Sequence, residues 1–316
     1  QEKQAENFMK MFLSVAKDLR VIIIKFADRL HNMTTIEYLP IIKQRRIAVE
    51  TRDVYAPLAH RLGMNKLKIE LEDLILKTLE PDEYKTLRKK TRASRKEREK
   101  YIDDFSKPIK VELEKYKINA RTFGRVKHYY SILGKIRKQN KKFEELFDIF
   151  AIRIVVNKVE ECYAVLGIIH QLFTPLQERF KDYLATPKSN GYQSIHTTVF
   201  GGEGRMVEVQ IRTEEMDQTA EIGVAAHWLY KEKENSNQDN SKIDRHMRWL
   251  RELVEVLQEE NSNPNEFLNL LKVDLFKDEI FVFTPAGDVT PLPAESTPID
   301  FAFQVHTQVG IHCIGA

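Results

Sequence analysis

The chain has 316 residues, 42% of them hydrophobic, which is enough for about two domains with sizeable cores. Its 50 Lys and Arg nearly cancel its 47 Asp and Glu, so where each charge lies is more informative than the net charge of +3. Its longest apolar run, residues 162–169, is too short for a membrane helix, and its first residues do not resemble a secretion signal. Two cysteines exclude a disulfide framework and a four-cysteine zinc site, so we expect a cytoplasmic protein.

Residues 1–80 are predicted to be helical. Apolar residues recur at helical spacing from Phe8 to Val15, and prolines at positions 40, 57 and 81 are expected to separate the helices that follow. Residues 85–100 then carry nine Lys or Arg and two Glu, with no apolar stripe after Leu87. This charge run favours a solvated helix or connector.

The next basic segment, residues 123–142, has a different pattern. It contains seven Lys or Arg and no acid, and apolar and aromatic residues are interleaved at helical spacing. The pattern predicts a packed helix with one cationic face, which is what an anionic ligand requires.

Alternating strands and helices predict an α/β or α+β core over residues 118–232. The predicted strands cover residues 149–156, 194–200 and 206–211, the predicted helices cover 160–173 and 214–231, and a glycine-rich hairpin loop covers 201–204. Beyond this core we expect an exposed loop at 232–241, a helix at 243–271 and a hairpin at 280–290 that begins a second small β-containing domain.

The strand at 206–211 has two distinct faces. Period-two alternation places Val207, Val209 and Ile211 on one face, and the opposite face carries an acid, an amide and a base: Glu208, Gln210 and Arg212. Asp148 immediately precedes another predicted strand, and two carboxylates on neighbouring strands suit Mg²⁺. A half-exposed strand with ordinary polar residues on its outer face is the alternative.

A turn at Asn190 and Gly191 is surrounded by side chains that suit a nucleotide. They offer a point charge for phosphate, a flat ring for a base, and polar groups for the edge of a base: Lys188, Tyr192, Gln193 and His196. A polar hairpin loop with an aromatic plug is equally compatible with this segment alone. Together with the cationic helix and the two acids, the loop indicates a magnesium-nucleotide site for phosphoryl-type transfer.

Several segments resemble the synthetase domain of the long RelA/SpoT homologues, which make the alarmones ppGpp and pppGpp. The similar segments are residues 124–131, 147–153, 179–183, 188–196, 207–213 and 223–228. Residues 27–33 and 55–63 resemble the C-terminal part of the family's HD-type hydrolase domain, and the segment from Asp274 resembles the start of its TGS domain. The resemblance covers nearly the whole chain in order.

The resemblance implies transfer of pyrophosphate from ATP to the 3′-hydroxyl of GDP or GTP, with release of AMP. Asp148 and Glu208 would bind Mg²⁺, Glu208 would also take the proton of the hydroxyl, and Tyr192 would stack on guanine. Arg125 would lie against adenine, and three residues would hold the ATP phosphates: Lys127, Ser131 and Lys135. The guanosine nucleotide would be lined by Lys181, Lys188, Asn190, Gln193 and His196.

The hydrolase part departs from the family pattern. The basic form of residues 179–182 marks the bifunctional Rel type, so we expect a parent protein that also hydrolyses (p)ppGpp with Mn²⁺. Asp28 matches one ligand of that Mn²⁺ site, and Asn32 and Thr35 match nucleotide-contacting positions, but Thr34 stands where the family usually has Arg. The upstream His and the His-Asp pair of the family are absent, and one carboxylate does not hold Mn²⁺ against water. We therefore expect no hydrolysis by this chain.

The resemblance implies an α+β fold class: a helical HD-type remnant, a nucleotidyltransferase-like synthetase domain with a mixed β-sheet flanked by helices, and the start of a β-grasp TGS domain. The expected domains are the HD-type part at 1–84, a helical connector at 85–117, the synthetase at 118–232, a loop and helical linker at 233–272, and the TGS part at 273–316. Since the chain starts at Gln1 and stops on apolar residues, we expect truncation at both ends. Most contact with the ribosome and tRNA would then belong to missing C-terminal domains of the parent.

Two other functions remain open at this point. The chain could be a regulatory nucleotide-binding module whose synthetase is held off, or an RNA-binding protein that uses the basic runs at 85–100 and 123–142. RNA binding predicts an affinity that falls steeply with salt and that does not need Asp148 or Glu208.

Overall fold

The computed structural model describes residues 2–18, 20–93, 95–125, 127–140, 143, 150–188, 190–225, 279–284 and 289–315. The chain divides into two compact units, one formed by residues 11–254 and the other by residues 1–10 together with 255–316. Within the described residues, no helix is both long enough and apolar enough to cross a membrane.

The N-terminal part is helical, as predicted. Its helices are α1 (Glu2–Lys17), α2 (Arg20–Thr34), α3 (Ile41–Glu50), α4 (Ala56–Arg61) and α5 (Asn65–Leu79), with a π-helical turn at Thr51–Tyr55. Pro40 immediately precedes α3 and Pro57 lies in the first turn of α4, where a missing amide proton costs no helical hydrogen bond. Helix α5 packs against α2, α3 and α4.

The basic run at 85–100 lies in two consecutive helices, α6 (Pro81–Ala93) and α7 (Arg95–Lys115). Leu87 is buried in α6, whereas the basic residues that follow it up to position 90 are exposed, in agreement with a solvated helix face. Further along α7, Phe105, Ile109 and Leu113 are buried in the core beneath the sheet. Helix α7 therefore begins as a charged surface helix and ends as a core helix.

A five-stranded mixed sheet forms the centre of the larger unit. Its strands are β1 (Arg121–Gly124), β2 (Phe150–Val156), β3 (Lys181–Asp182), β4 (Ile195–Phe200) and β5 (Met206–Thr213), in the order β1-β2-β5-β4-β3. Strands β2 and β5 are parallel, and the other three pairs are antiparallel. The three predicted strands are confirmed, whereas β1 and β3 were not predicted.

One face of this sheet forms the main hydrophobic core. Val207, Val209 and Ile211 are fully buried there, which confirms the predicted core face of β5. Helix α9 (Val159–Leu172) covers the same face with Cys162 and Val165, next to the end of α7. Burial of each such side chain contributes about 1.5–3 kcal/mol, so this face fixes the position of β5.

Two helices lie near the opposite, polar face. Helix α8 (Tyr129–Gln139) buries Ile132 and Leu133 against α5 and α6, and the carboxylate of Asp73 accepts a 3.0 Å hydrogen bond from the Tyr130 amide in its first turn. Helix α10 (Glu214–Ile222) follows β5 with no connecting residue, because Thr213 ends the strand and also caps the helix. The predicted helix over 214–231 is interrupted, because α10 ends at Ile222 and Gly223 takes a φ of +57°; residues beyond 225 lie outside the described residues.

In the smaller unit, β6 (Glu279–Phe283) and β7 (Val289–Pro293) form the predicted antiparallel hairpin. Two short helices follow, α11 (Pro298–Val305) and α12 (Thr307–Ile311). Thr297 and Asp300 form a capping box at the start of α11, which satisfies amides that the helix itself leaves unpaired. The predicted loop at 232–241 and helix at 243–271 lie outside the described residues.

Candidate active site

The polar face of β4 and β5 brings together most of the predicted site residues. In the register of these strands His196 lies opposite Gln210, and Glu208 lies opposite Thr198. Gln210 is 2% exposed and Arg212 is 1% exposed, so the alternative of a half-exposed strand is wrong. Polar side chains buried to this extent require partners, and each has one on this side of the sheet: Gln210 Nε2 bonds to Glu208, and Arg212 Nη2 lies against Asp217.

Glu208 is the only acidic residue on β5, and its carboxylate has three neighbours. The side-chain amide of Gln210 donates a 2.8 Å hydrogen bond to Oε1, Lys127 Nζ lies 3.6 Å from Oε2, and His196 Nδ1 lies 3.6 Å from Oε1. Burial alone would raise the pKa of Glu208, but three influences lower it to about 2: the charge of Lys127, the charge that His196 carries at acidic pH, and the hydrogen bond from Gln210. Glu208 is therefore ionised at neutral pH.

The cationic side of the site comes from the start of α8 and the residues before it. Lys127 is buried to 8% exposure beside Glu208, and burial followed by the positive charge of Lys127 lowers the pKa of Lys135 to about 8. The Arg125 amide donates a 2.8 Å hydrogen bond to the Ala151 carbonyl and so extends the pairing of β1 with β2. Ser131 is exposed on the same helix. The predicted packed helix is confirmed for Tyr129–Gln139, whereas residues 123 and 124 of the predicted segment belong to strand β1.

Three rings form an aromatic cluster beside Glu208. The Tyr192 hydroxyl lies 2.8 Å from His196 Nε2, and the rings of Tyr183 and His196 meet edge to face with centroids 5.3 Å apart. Lys188 Nζ lies 4.8 Å from the centroid of Tyr183. The pKa of His196 is lowered to about 4, chiefly by burial; the charge of Glu208 raises it, and the charges of Arg125 and Lys188 lower it. His196 is therefore neutral at neutral pH and acts as a hydrogen-bonding group.

A partly buried ion network around Arg212, beside Tyr192, was not predicted. Arg212 Nη2 lies 2.5 Å from Asp217 Oδ1, while Arg153 Nη1 lies 3.2 Å from Asp217 and 2.7 Å from Glu221. The Arg212 guanidinium also lies 6.0 Å from the ring centroid of Tyr192, within cation–π range. The network joins β2, β5 and α10. Strand alternation places Arg212 on the same face as Glu208, but no sequence pattern indicated that Asp217 and Glu221 of α10 would be its partners.

Asn190 has both of its side-chain polar atoms bonded within the protein. Its Nδ2 donates a 3.1 Å hydrogen bond to the His60 carbonyl, and its Oδ1 accepts a 3.2 Å hydrogen bond from the Tyr192 amide. Asn190 is 8% exposed. The structure thus shows Asn190 as an anchor of the Tyr192 loop, and its predicted contact with the guanosine nucleotide remains a prediction.

The remaining predicted residues of this site are more exposed or lie outside the described residues. Lys181 is exposed on β3 opposite His196, and Gln193 is half-buried next to Tyr192. Asp148 lies outside the described residues, so its predicted partnership with Glu208 remains a prediction. Strand β2 begins two residues after it, at Phe150.

The residues predicted for the hydrolase site lie on or just after α2. Asp28 is exposed and Asn32 is half-buried, while the Thr35 hydroxyl donates a 2.9 Å hydrogen bond to the His31 carbonyl. In the part of the chain that the structure describes, no group of three His, Cys, Asp or Glu side chains could hold a metal ion. Within the described residues, Asp28 is therefore an exposed carboxylate that belongs to no such group.

Three family models match the chain in order. Residues 1–65 match an HD domain, residues 124–235 match a region found in RelA/SpoT proteins, and residues 280–316 match a TGS domain. These matches follow the same order as the resemblance in the sequence.

Curated relatives match over essentially the whole chain. The chain is 49% identical to a GTP pyrophosphokinase of Myxococcus xanthus, with 100% of this chain and 41% of that protein covered. It is 50% identical to a guanosine-3′,5′-bis(diphosphate) 3′-pyrophosphohydrolase of Aquifex aeolicus, with 99% of this chain and 44% of that protein covered. It is 48% identical to the bifunctional (p)ppGpp synthase/hydrolase SpoT of Escherichia coli, with 100% of this chain and 44% of that protein covered. The chain spans less than half the length of these relatives, and it belongs to the RelA/SpoT family.

Proposed function

We propose that residues 118–232 form a synthetase domain that transfers pyrophosphate from ATP to the 3′-hydroxyl of GDP or GTP. The single observation that carries this proposal is the ionised carboxylate of Glu208, held between Lys127 and the ring cluster of Tyr192 and His196. A base beside a phosphate-binding cation and an aromatic platform suits nucleotide phosphoryl transfer. The names of the relatives, a GTP pyrophosphokinase among them, support the same reaction.

In the proposed reaction the 3′-hydroxyl oxygen forms a bond to the β-phosphorus of ATP. The bond from that phosphorus to the bridging α,β-oxygen breaks, and AMP leaves with this oxygen. Glu208 accepts the hydroxyl proton, because its carboxylate is ionised and fixed by Gln210. Lys127 and Lys135, with Ser131, hold the ATP phosphates, and Arg125 lies against adenine.

The guanosine nucleotide binds on the other side of Glu208. Tyr192 stacks on guanine, since its ring is already held by His196 and by the guanidinium of Arg212. Lys188 is placed above the neighbouring ring of Tyr183, where its charge can attract phosphate. Lys181, Gln193 and His196 complete this side of the proposed site.

The donor set fits a divalent cation in part. Glu208 offers carboxylate oxygens that remain ionised although largely buried, which is the chemistry that Mg²⁺ prefers. We propose Asp148 as its partner ligand. When bound, Mg²⁺ would neutralise negative charge on the transferred phosphates.

For the parent protein we propose (p)ppGpp hydrolysis as a second activity, supported by the HD match and by the hydrolase names of the relatives. Ribosome or tRNA association of the parent rests on the TGS match alone. For this chain we propose that hydrolysis is absent, because the upstream His and His-Asp pair of the family pattern have no counterpart and no group of three possible ligands includes Asp28 within the described residues.

One assay tests the synthetase proposal directly. The purified chain is incubated with Mg²⁺, ATP labelled on its terminal phosphates, and GDP or GTP, and nucleotides are separated by chromatography. We expect labelled ppGpp or pppGpp together with AMP in equal amounts. Nucleotide binding without any turnover would contradict the proposal and favour the regulatory module. Binding to RNA that weakens steeply with salt and persists in Glu208→Gln would favour an RNA-binding protein.

A further inference from the structure

The hairpin loop between β4 and β5 lies against helix α7. The Tyr101 hydroxyl of α7 donates a 2.9 Å hydrogen bond to the Gly202 carbonyl, and Arg205 Nη2 donates a 2.8 Å hydrogen bond to Oε1 of Glu97 on the same helix. A Cβ atom on Gly201 would collide with the Tyr101 hydroxyl, so this close approach requires glycine at that position. Contacts at both ends of the loop therefore fix the start of β5 to α7.

The guanidinium of Arg205 also lies against two aromatic rings. Its Cζ is 5.2 Å from the ring centroid of Tyr101 and 5.2 Å from that of Phe150, and the two ring centroids are 4.7 Å apart. A cation within about 6 Å of a ring centroid is attracted by the ring, and more strongly where water is excluded. Since Phe150 is the first residue of β2, Arg205 and Tyr101 together hold the start of this strand.

The start of β2 is also where two parts of the proposed active site meet. Ala151, the residue after Phe150, lies opposite Glu208 in the parallel pairing of β2 with β5. The Ala151 carbonyl accepts the 2.8 Å hydrogen bond from the Arg125 amide. Phe150, Ala151 and Arg125 line the same cavity, which has a volume of about 690 Å³. A shift of Phe150 would therefore move the backbone that supports Arg125 and the strand beside Glu208.

Arg205 and Tyr101 hold Phe150 from behind the proposed site. Tyr101 and Phe150 pack against the main hydrophobic core, on the side of the sheet opposite to the polar face that carries Glu208. The described lining of the cavity includes Phe150 but neither Arg205 nor Tyr101. Any effect of these two residues on a nucleotide in the cavity therefore passes through Phe150.

We infer that Arg205 and Tyr101 are positioning residues for the ATP side of the proposed site, because they hold the start of β2. The inference rests on the roles proposed for Arg125 and Glu208. The guanosine side depends instead on Tyr192, whose ring is held by other contacts. It follows that loss of Arg205 weakens the binding of ATP and leaves the affinity for the guanosine nucleotide nearly unchanged.

Steady-state kinetics separate the two substrates. For Arg205→Ala we expect the KM for ATP to rise about 3- to 10-fold, as for loss of one cation–π contact, with the KM for GDP or GTP within about twofold. Arg205→Lys keeps a cation near both rings, and its KM for ATP should stay within about threefold of the original value. Lys107→Ala removes an exposed cation of α7 that bonds to Asp104 of the same helix, and it serves as the matched control. A loss of stability alone would lower the amount of folded enzyme without changing the ratio of the two KM values.

Hydrogen–deuterium exchange provides a readout that needs no activity. We expect the amides of Arg125 and of residues 150–152 to exchange faster in Arg205→Ala than in Lys107→Ala, with melting temperatures recorded to show that each variant folds. Unchanged exchange together with an unchanged KM for ATP would overturn the inference, and so would an equal rise of both KM values. Faster exchange in a chain that makes no alarmone would refute the proposed function and leave the structural link between Arg205 and β2 intact.

Discussion

The polar face of β5 and the surface of α2 both carry residues that match functional positions of the family, but their surroundings differ. On β5, Glu208 is largely buried and held by a lysine, a histidine and an amide. On α2, Asp28 is exposed; since neither carboxylate belongs to a group of three potential metal ligands within the described residues, the contrast lies in burial and in hydrogen-bonding neighbours. A motif alone therefore does not make a site, because a reactive carboxylate needs neighbours that set its charge and direction.

The sharpest test of this comparison replaces one carboxylate in each region. Glu208→Gln removes the proposed base and its charge with little change in volume, and we expect alarmone synthesis to fall by about 10²- to 10⁴-fold. Asp28→Asn, the matched control in the helical region, should leave synthesis within about twofold. Initial rates of AMP release measure both, with circular dichroism to show that each variant keeps its fold. Near-normal synthesis by Glu208→Gln would contradict the assignment.

The next largest effect is expected at the aromatic platform. Tyr192→Ala removes a stacking surface worth about 1–3 kcal/mol, so the KM for GDP or GTP should rise about 5- to 150-fold. Tyr192→Phe keeps the ring and loses only the hydroxyl bond to His196, and its effect should be several times smaller. Equal losses in the two variants would show that the hydroxyl, not the ring face, matters.

A smaller effect is expected from the pH dependence of ATP use. Because the pKa of Lys135 is lowered to about 8, its positive charge is present below pH 8 and is lost as the pH rises through this value. The kcat/KM for ATP should therefore fall, by up to about tenfold, between pH 7 and pH 9. Lys135→Arg keeps its charge throughout this range and should flatten the profile. An alkaline fall that is the same in both proteins would assign it to another group.

The smallest expected signal is hydrolysis by the helical region. With Mn²⁺ and purified ppGpp, the 316-residue chain should release no pyrophosphate above the rate measured for Asp28→Asn. Robust release that depends on Asp28 would show that an isolated exposed carboxylate can be completed by groups outside the described residues, and the contrast between the two regions would then disappear.

Sequence reasoning succeeded where a pattern is repeated along one strand or helix. Alternation in β5 was sufficient to assign Val209 to the core and Glu208 to the opposite face, and apolar spacing predicted that α8 packs with one cationic face. The short strands β1 and β3 were missed, because four and two residues carry no periodic signal and their pairing depends on β2 and β4. The ion network of Arg212 was also missed, because its partners Asp217 and Glu221 on α10 become neighbours of Arg212 only in the folded chain.

The joint at Thr213 has a mechanical consequence. Since this residue is both the last of β5 and the cap of α10, there is no loop between them to absorb rotation, and Arg212 bridges the same joint to Asp217. A displacement of the first turn of α10 would therefore act on the end of β5, five residues from Glu208, with no intervening loop to take it up.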